Sequence, residues 1–350
     1  LHPHALPNLL RHFGHATFLD LGNCGMTEVP EEIGECVWVE EFNLSDSWQL
    51  EKGKFEFRDR IDNPNNIEKL PISFSKLKNL KTLLLHGAHR SNHNFLNLES
   101  LSGFLQLINL NVGFTNISDL TPLCTLINLQ ILQIYGTKIS DLRPLSTLNQ
   151  LRMLNIGATN VEDLSPLIKL SNLKILAIWD TKITNFIPIK DLISLEQLIL
   201  RTPQFTNLEI VRTLSNLKRL DVSNSQVFDL SPILFLIQKG IPVLWGDYLD
   251  NDEVINVKDC PLTTPPVEVA QEPPQAVRDY FEELGDDGRK LNEVKVIFLG
   301  EASAGKTSLV KRLLGEDFDS KESQTHGIRI RKAPFVMDDG DQVTAHLWDF

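Results

Sequence analysis

Four residues toward the end of the chain have the types and spacing to hold a phosphate. Gly300, Gly305, Lys306 and Thr307 satisfy G-x-x-x-x-G-K-S/T within GEASAGKTSLVKRLL. Phosphates carry concentrated negative charge. A turn from a strand into a helix aims several backbone N–H groups at them, and the helix dipole adds to the attraction. Gly300 and Gly305 let the chain curl without Cβ clashes. In such a loop Lys306 reaches the β and γ phosphates and the Thr307 hydroxyl coordinates Mg²⁺. Ser303, Ala304 and Ser308 complete the nucleotide-binding set. The plain alternative is a glycine turn beside an exposed lysine. Context favours the phosphate: VKVIFL over 294–299 is an apolar run that suits a buried strand, and LVKRLL after the loop is patterned as a helix.

Beyond the loop the sequence resembles a Ras-like G domain. The segment FDSKESQTHGIRI over 318–330 contains T-x-G-I, similar to a switch I element whose threonine contacts Mg²⁺ and senses the γ phosphate. The resemblance makes Thr325 the candidate for that catalytic and metal-contacting role. VTAHLWDF over 343–350 reads as another strand ending on an acid. Asp349 fits the first position of D-x-x-G, whose aspartate holds Mg²⁺ through water. A guanine-reading N-K-x-D motif is not among these residues, so the base is inferred from the resemblance.

The elements before this loop are of a different kind. One template, L-x-x-L-x-L-x-x-T-x-I-x-D-L-x-P-L-x-x-L, recurs with its first leucine at Leu107, Leu129, Leu151, Leu173, Leu195 and Leu217, each 22 residues on. Companion positions keep step at Leu110, Leu132, Leu154, Leu176, Leu198 and Leu220. The L-x-L alternation predicts a strand, and D-L-x-P-L predicts a turn into a short helical or 3₁₀ return. One strand per repeat, stacked in parallel, makes a curved leucine-rich-repeat solenoid. Thr115, Thr137, Thr159 and Thr181 form a column at the bend, where a hydroxyl supplies partners to buried backbone groups. Upstream, Ala16, Leu19 and Leu21 match Val39, Phe42 and Leu44, and Leu80, Leu83 and Leu85 begin another copy. The period breaks over about 46–66, read as an insertion. About nine repeats are expected, with an N-terminal cap lying outside the chain.

Residues alternating with the core columns face the concave side: Tyr135, Trp179, Ile199 and Arg201, with His86 further up. Tyr, Trp and Arg are common anchors of protein interfaces, so this column is a candidate partner surface. The bland alternative is that scattered exposed aromatics carry no meaning. After Leu236 the template ends. PLTTPPVEVAQEPP over 261–274 is a stiff connector, QAVRDYFEEL over 275–284 has helical spacing, and a boundary is expected near Leu291.

With 46 acidic against 34 basic residues the formal charge is -12, which argues against a sequence-independent grip on nucleic acid or an anionic membrane. No apolar run is long enough to span a bilayer and no leader is evident. Cys24, Cys36, Cys124 and Cys260 lie far apart, so free thiols in a reducing, cytoplasmic compartment are expected and no zinc site.

Repeats, then a connector with DCPLTTPP, then VKVIFLGEASAGKTSLVKRLL with KESQTHGI closely resemble the Roco family. Its members join leucine-rich repeats to a Ras-of-complex-proteins (Roc) GTPase domain. The fold class expected is α/β: a leucine-rich-repeat solenoid over 1–238, a capping segment, connector and linker helix over 239–290, and the N-terminal part of a Ras-like P-loop GTPase domain over 291–350. The resemblance implies GTP and GDP as ligands with Mg²⁺, a GTP-binding regulatory switch that hydrolyses GTP in a full-length prokaryotic-type parent, and homodimerisation there through a further C-terminal module. The repeats then serve protein interaction. Ala302 and Ser303 stand where Ras has glycines, which leaves intrinsic hydrolysis open, and this chain alone is expected to bind GTP poorly. An interaction scaffold with an inactive nucleotide domain is the second reading, against which the intact Lys306 and Thr307 stand. An ATP-driven switch of the repeat-bearing immune-receptor kind is the third, and those place the nucleotide domain before the repeats.

Overall fold

The structure, a computed structural model, describes residues 17–51, 54–57, 60–87, 95, 97–246, 253–284, 293–298, 305–316, 329–336 and 342–349. The chain divides into two compact units, Leu1–Asp279 and Tyr280–Phe350. The boundary expected near Leu291 lies outside the described residues.

In the first unit each repeat contributes one short strand to a single parallel sheet. The strands are β1 (Phe18–Asp20), β2 (Glu41–Asn43), β5 (Thr82–Leu84), β6 (Asn109–Asn111), β7 (Ile131–Gln133), β8 (Met153–Asn155), β9 (Ile175–Trp179), β10 (Gln197–Arg201) and β11 (Arg219–Asp221). Between β2 and β5 lies an antiparallel hairpin of β3 (Trp48–Glu51) and β4 (Lys54–Phe57), at the place where the period breaks. The repeat strands pair in chain order with the leucine column in register, Leu110 against Leu132, Leu132 against Leu154 and so on to Leu220. These leucines are fully buried. The solenoid is therefore a stack of one-strand units, each closing its neighbour's core.

The sheet runs further than the leucine template does. Past Leu236, β12 (Val243–Leu244) and β13 (Val254–Asn256) join it in the order β11-β13-β12. The buried Val254, Ile255 and Val257 stand in for the missing leucines. This pair covers the last repeat strand.

The return segments are 3₁₀ turns, and the side chains explain why. Proline sits in the first turn of those at Thr121–Leu123, Arg143–Thr147, Ser165–Lys169 and Ile187–Asp191, where no N–H is needed. Just before each, a carboxylate or amide caps the turn. Oδ1 of Asp119, Asp141 and Asp163 accepts from the backbone N–H of Thr121, Arg143 and Ser165 at 2.8, 2.9 and 2.8 Å. Asn185 and Asn207 do the same for Ile187 and Glu209 at 3.1 and 2.8 Å. The last return becomes an α-helix, α1 (Leu234–Gln238).

The bend column behaves as its residue type requires. Thr115, Thr137 and Thr159 hydroxyls donate to the carbonyls of Val112, Ile134 and Ile156 at 2.7, 2.6 and 2.6 Å. Thr181 departs from the pattern, its buried hydroxyl having no partner among the described residues. Asparagine ties repeat to repeat: Nδ2 of Asn128, Asn172 and Asn216 donates to the carbonyls of Leu105, Asn149 and Ile193 at 2.8, 2.7 and 3.0 Å. Where the register loosens upstream, Phe42, Phe74 and Phe104 take over the core, with ring centroids 5.4 and 5.5 Å apart. Two helices come after the sheet, α2 (Val267–Ala270) and α3 (Gln275–Leu284).

The second unit contains a three-stranded sheet in the order β14-β16-β15, of β14 (Glu293–Phe298), β15 (Arg329–Val336) and β16 (Gln342–Asp349). β14 runs parallel to β16, and β15 antiparallel to it. The helix α4 (Lys306–Leu313) comes after β14 and puts Val310 into a core with Ala333, Ala345 and Leu347. Val296 and Phe298 of β14 pack against the same cluster, while Ile297 on the other side of the strand is 47% exposed.

Candidate phosphate-binding site and repeat surface

β14 ends at Phe298 and α4 begins at Lys306, so the G-x-x-x-x-G-K-T segment is the crossover from a strand into a helix N-terminus. Gly305 caps the helix with φ +80°, a left-handed conformation that L side chains rarely adopt. Nothing lies within 4 Å of where its Cβ would stand, so glycine is needed here for backbone conformation and not for space. The Gly305 carbonyl accepts from Leu309 N–H at 2.9 Å, which sets the first turn. Lys306, Thr307 and Ser308 lie in that turn and are half-buried. The helix is anchored behind them by Val310 and closed by Gly315 at φ +73°. Glu316 just beyond takes both of its carboxylate oxygens to Arg331 Nη1 on β15 at 2.9 Å.

The first turn of α4 presents its free backbone N–H groups and the positive end of the helix dipole at Gly305. Asp349, the last residue of β16, is the register partner of Phe298, the last residue of β14. Its backbone thus stands at the carboxyl edge of the parallel pair, where open α/β sheets bind ligands. Gly300, Ser303, Ala304 and Thr325 lie outside the described residues. The donor set that is described, a lysine and two hydroxyl residues on a helix N-terminus, has the chemistry to hold phosphate and a hard cation.

On the solenoid the concave column is built by alternation of rings and glycines. In neighbouring strands the same place is held by His86, Gly113, Tyr135, Gly157, Trp179, Arg201 and Ser223. A Cβ on Gly113 would meet His86 Cδ2 and Tyr135 Cε1 at 2.9 Å, and one on Gly157 would stand 2.0 Å from Trp179 Cε2. The rings therefore lie flat over the glycines beside them. His86 and Tyr135 centroids are 5.3 Å apart, Tyr135 and Phe114 5.2 Å, and Tyr135 and Trp179 6.2 Å.

Tyr135 is consequently buried, at 8% exposure, and forms the floor of the column rather than an open anchor. Burial pushes its hydroxyl up to about 12, an effect moderated by hydrogen bonding to Trp48 and Asn111. Trp48 belongs to the β3–β4 hairpin, so the insertion reaches the same aromatic row. Trp179 and Ile199 are half-buried, and Arg201 is exposed. Arg201 donates from Nε to Asp221 Oδ2 at 2.8 Å, and its Nη2 reaches the same oxygen. Asp221 is buried, and Ser223 Oγ donates to its other oxygen at 2.7 Å. Sequence reasoning set Tyr135, Trp179, Ile199 and Arg201 together on the concave side; the register puts Ile199 in the adjoining column with Ala177 and Asp221, and Gly113, Gly157 and Asp221 were missed. The 22-residue period already set both glycines in the same column as the rings.

Fold and site together define a class: a leucine-rich-repeat solenoid followed by a strand and helix that flank a G-x-x-x-x-G-K-T pattern. Residues 295–350 match the family model described as Ras of Complex, Roc, domain of DAPkinase, so a segment similar to a Roc domain comes after the leucine-rich-repeat array. It is also similar to the Ras-related protein Rab-18 of Caenorhabditis briggsae and of Caenorhabditis elegans, at 31% identity over 64 residues, 18% of this chain and 31% of each relative. The chain thus spans under a third of the curated relatives it matches. Among solved structures, an internalin (inlF) of Listeria monocytogenes superposes with a TM-score of 0.52 at 20% identity, covering 70% of this chain and 61% of that one. That likeness shows the solenoid fold. Among the described residues no disulfide joins the cysteines, and no helix is long and apolar enough to cross a membrane.

Proposed function

We propose that this chain carries the phosphate side of a guanine-nucleotide switch of Roco type, joined to a solenoid that binds a protein partner on its concave face. The observation that carries this reading is the left-handed Gly305 at the head of α4, directly before Lys306 and Thr307, in a segment that matches the Roc model. Backbone N–H groups at the head of α4 hold phosphate oxygens, and Lys306 neutralises charge on the β and γ phosphates. Thr307, Thr325 and Asp349 are the residues that would hold Mg²⁺, directly or through water. An ion held by them would neutralise charge on the phosphate oxygens. The full-length parent hydrolyses GTP and dimerises, and works in the cytoplasm.

The test is titration of a fluorescent GTP analogue into the 350-residue chain, with and without Mg²⁺ and excess ATP. The expected result is weak binding that improves with Mg²⁺ and falls at least tenfold in Lys306→Ala. Binding untouched by Lys306→Ala would overturn the phosphate assignment. Equal competition by ATP would remove the guanine assignment alone.

A further inference from the structure

The concave face changes character along the solenoid. In the first repeats the charges offset one another, Lys81 just before β5 pairing with Glu40 just before β2 at 2.7 Å beside Glu41, and around β6 and β7 the positions are neutral: Ile108, Asn109 and Asn111, then Gln130, Ile131 and Gln133. From β8 onward they gather positive charge. Arg152, Lys174 and Lys218 occupy the same place just before their strands, Arg219 opens β11, and Arg201 ends β10. The acids beside them do not cancel this. Glu196 stands between Lys174 and Lys218, accepting a hydrogen bond from the first at 2.5 Å and lying 3.8 Å from the second. Asp221 is committed to Arg201, and Asp180 lies in the turn after β9. The buried Arg219 Nε has no hydrogen-bond partner among the described residues. On a chain of formal charge -12 this is a local excess of the opposite sign.

The same strands carry the apolar part of the face. Trp179 is the register partner of Arg201, and Ile199 that of Ala177 and of Asp221. Trp179 rests on Gly157 and Arg201 on Asp221, so neither side chain loses much freedom when something docks. Neighbouring strands are about 4.8 Å apart, so an extended chain crossing the sheet meets a new cation every repeat or two.

We propose that the concave face over β8–β11 docks an extended acidic segment of a partner protein. Its carboxylates pair with Arg152, Lys174, Lys218 and Arg219, and one apolar side chain sits between Trp179 and Ile199 beside Arg201. The proposal rests on the reading of the concave face as a partner surface and names the chemistry of that partner. Tryptophan at the centre supplies most of the affinity, and the rim charges supply rate and selectivity.

The experiment pans the 350-residue chain with a phage library of random dodecapeptides and then measures one enriched peptide by fluorescence polarisation. The expected outcome is enrichment of Asp and Glu around an aromatic or aliphatic residue. Affinity should fall at least tenfold in Trp179→Ala, partly recover in Trp179→Phe, and weaken with added salt. Lys174→Glu with Lys218→Glu should turn the selection toward basic peptides, circular dichroism confirming that each variant is folded. Enriched peptides that need Trp179 but show no acidic excess would overturn the acidic chemistry and leave the partner surface standing. Absence of any Trp179-dependent peptide would overturn both. Tighter binding of an oligothymidylate probe than of the acidic peptides would overturn the proposal in favour of nucleic acid.

Discussion

At Gly157 a Cβ atom would stand 2.0 Å from Trp179 Cε2 and 2.1 Å from its Nε1, closer than any real contact. Gly157 has no positive φ, so alanine is refused by the neighbour and not by the backbone. Gly157→Ala must push the indole off the strand, and crowding of this kind costs about 1–3 kcal/mol. Urea unfolding followed by circular dichroism should show that loss. In a Trp179→Ala background the same substitution should cost almost nothing, because the atom it strikes is gone. Additive losses would mean that the ring does not rest there. Individual side chains differed in how far their roles could be read from sequence. The place of Lys306 and Thr307 at the head of a helix was legible from the glycine spacing and the helix-patterned residues after it. The role of Tyr135 is less plain: its place in the column follows from the period, but its burial depends on the bare Gly113 beneath the ring and on the neighbouring His86, Phe114 and Trp179.

At the scale of the element, the 3₁₀ returns depend on carboxylates. Bonds from the Thr121 hydroxyl and N–H hold Asp119 below its ordinary 3.8, Arg143 does so for Asp141, and Ser165 for Asp163. A carboxylate whose folded pKa is depressed stabilises the fold above its unfolded value, and that contribution disappears as pH falls through the folded one. The solenoid should therefore lose stability below about pH 4, the ordinary aspartate range. These carboxylates are largely exposed, so each contributes modestly. The natural Asn185 and Asn207 show that an amide caps the same turn without a charge. Asp119→Asn, Asp141→Asn and Asp163→Asn combined should leave the neutral-pH melting temperature nearly unchanged and flatten its decline in acid. A decline as steep as in the parent would place the acid sensitivity elsewhere. Strand and return were both legible, because alternation and D-L-x-P-L are local signals. The β3–β4 hairpin and the β13–β12 pair were not. Hairpin pairing over so short a segment and strands added without leucine leave no period to detect.

Over the whole solenoid, each leucine is buried between two neighbours, so stability is shared along the stack. Leu154 is fully buried on β8, with Leu132 and Leu176 as register partners on either side. Leu154→Ala removes apolar contact from three repeats at once and leaves a cavity, for a loss of about 2–5 kcal/mol. A globular core would confine the damage to one cluster. A one-dimensional array instead weakens both interfaces that the middle repeat makes, and the repeats on either side are then coupled only through it. Two outcomes are possible in principle: the array unfolds as one at lower urea, or it splits into an N-terminal and a C-terminal half that unfold in turn. The asparagine and threonine bonds from repeat to repeat favour the first, since Asn172 to Asn149 crosses the interface between the β7 and β8 repeats, and Thr147 to Cys124 the one between the β6 and β7 repeats, independently of the leucine. Hydrogen exchange read repeat by repeat should thus show protection falling together from β6 to β11 in Leu154→Ala, with one sharp transition by circular dichroism. Protection lost only around β8, with β10 and β11 unmoved, would show that the interfaces act separately and that the backbone ladders do not carry the coupling.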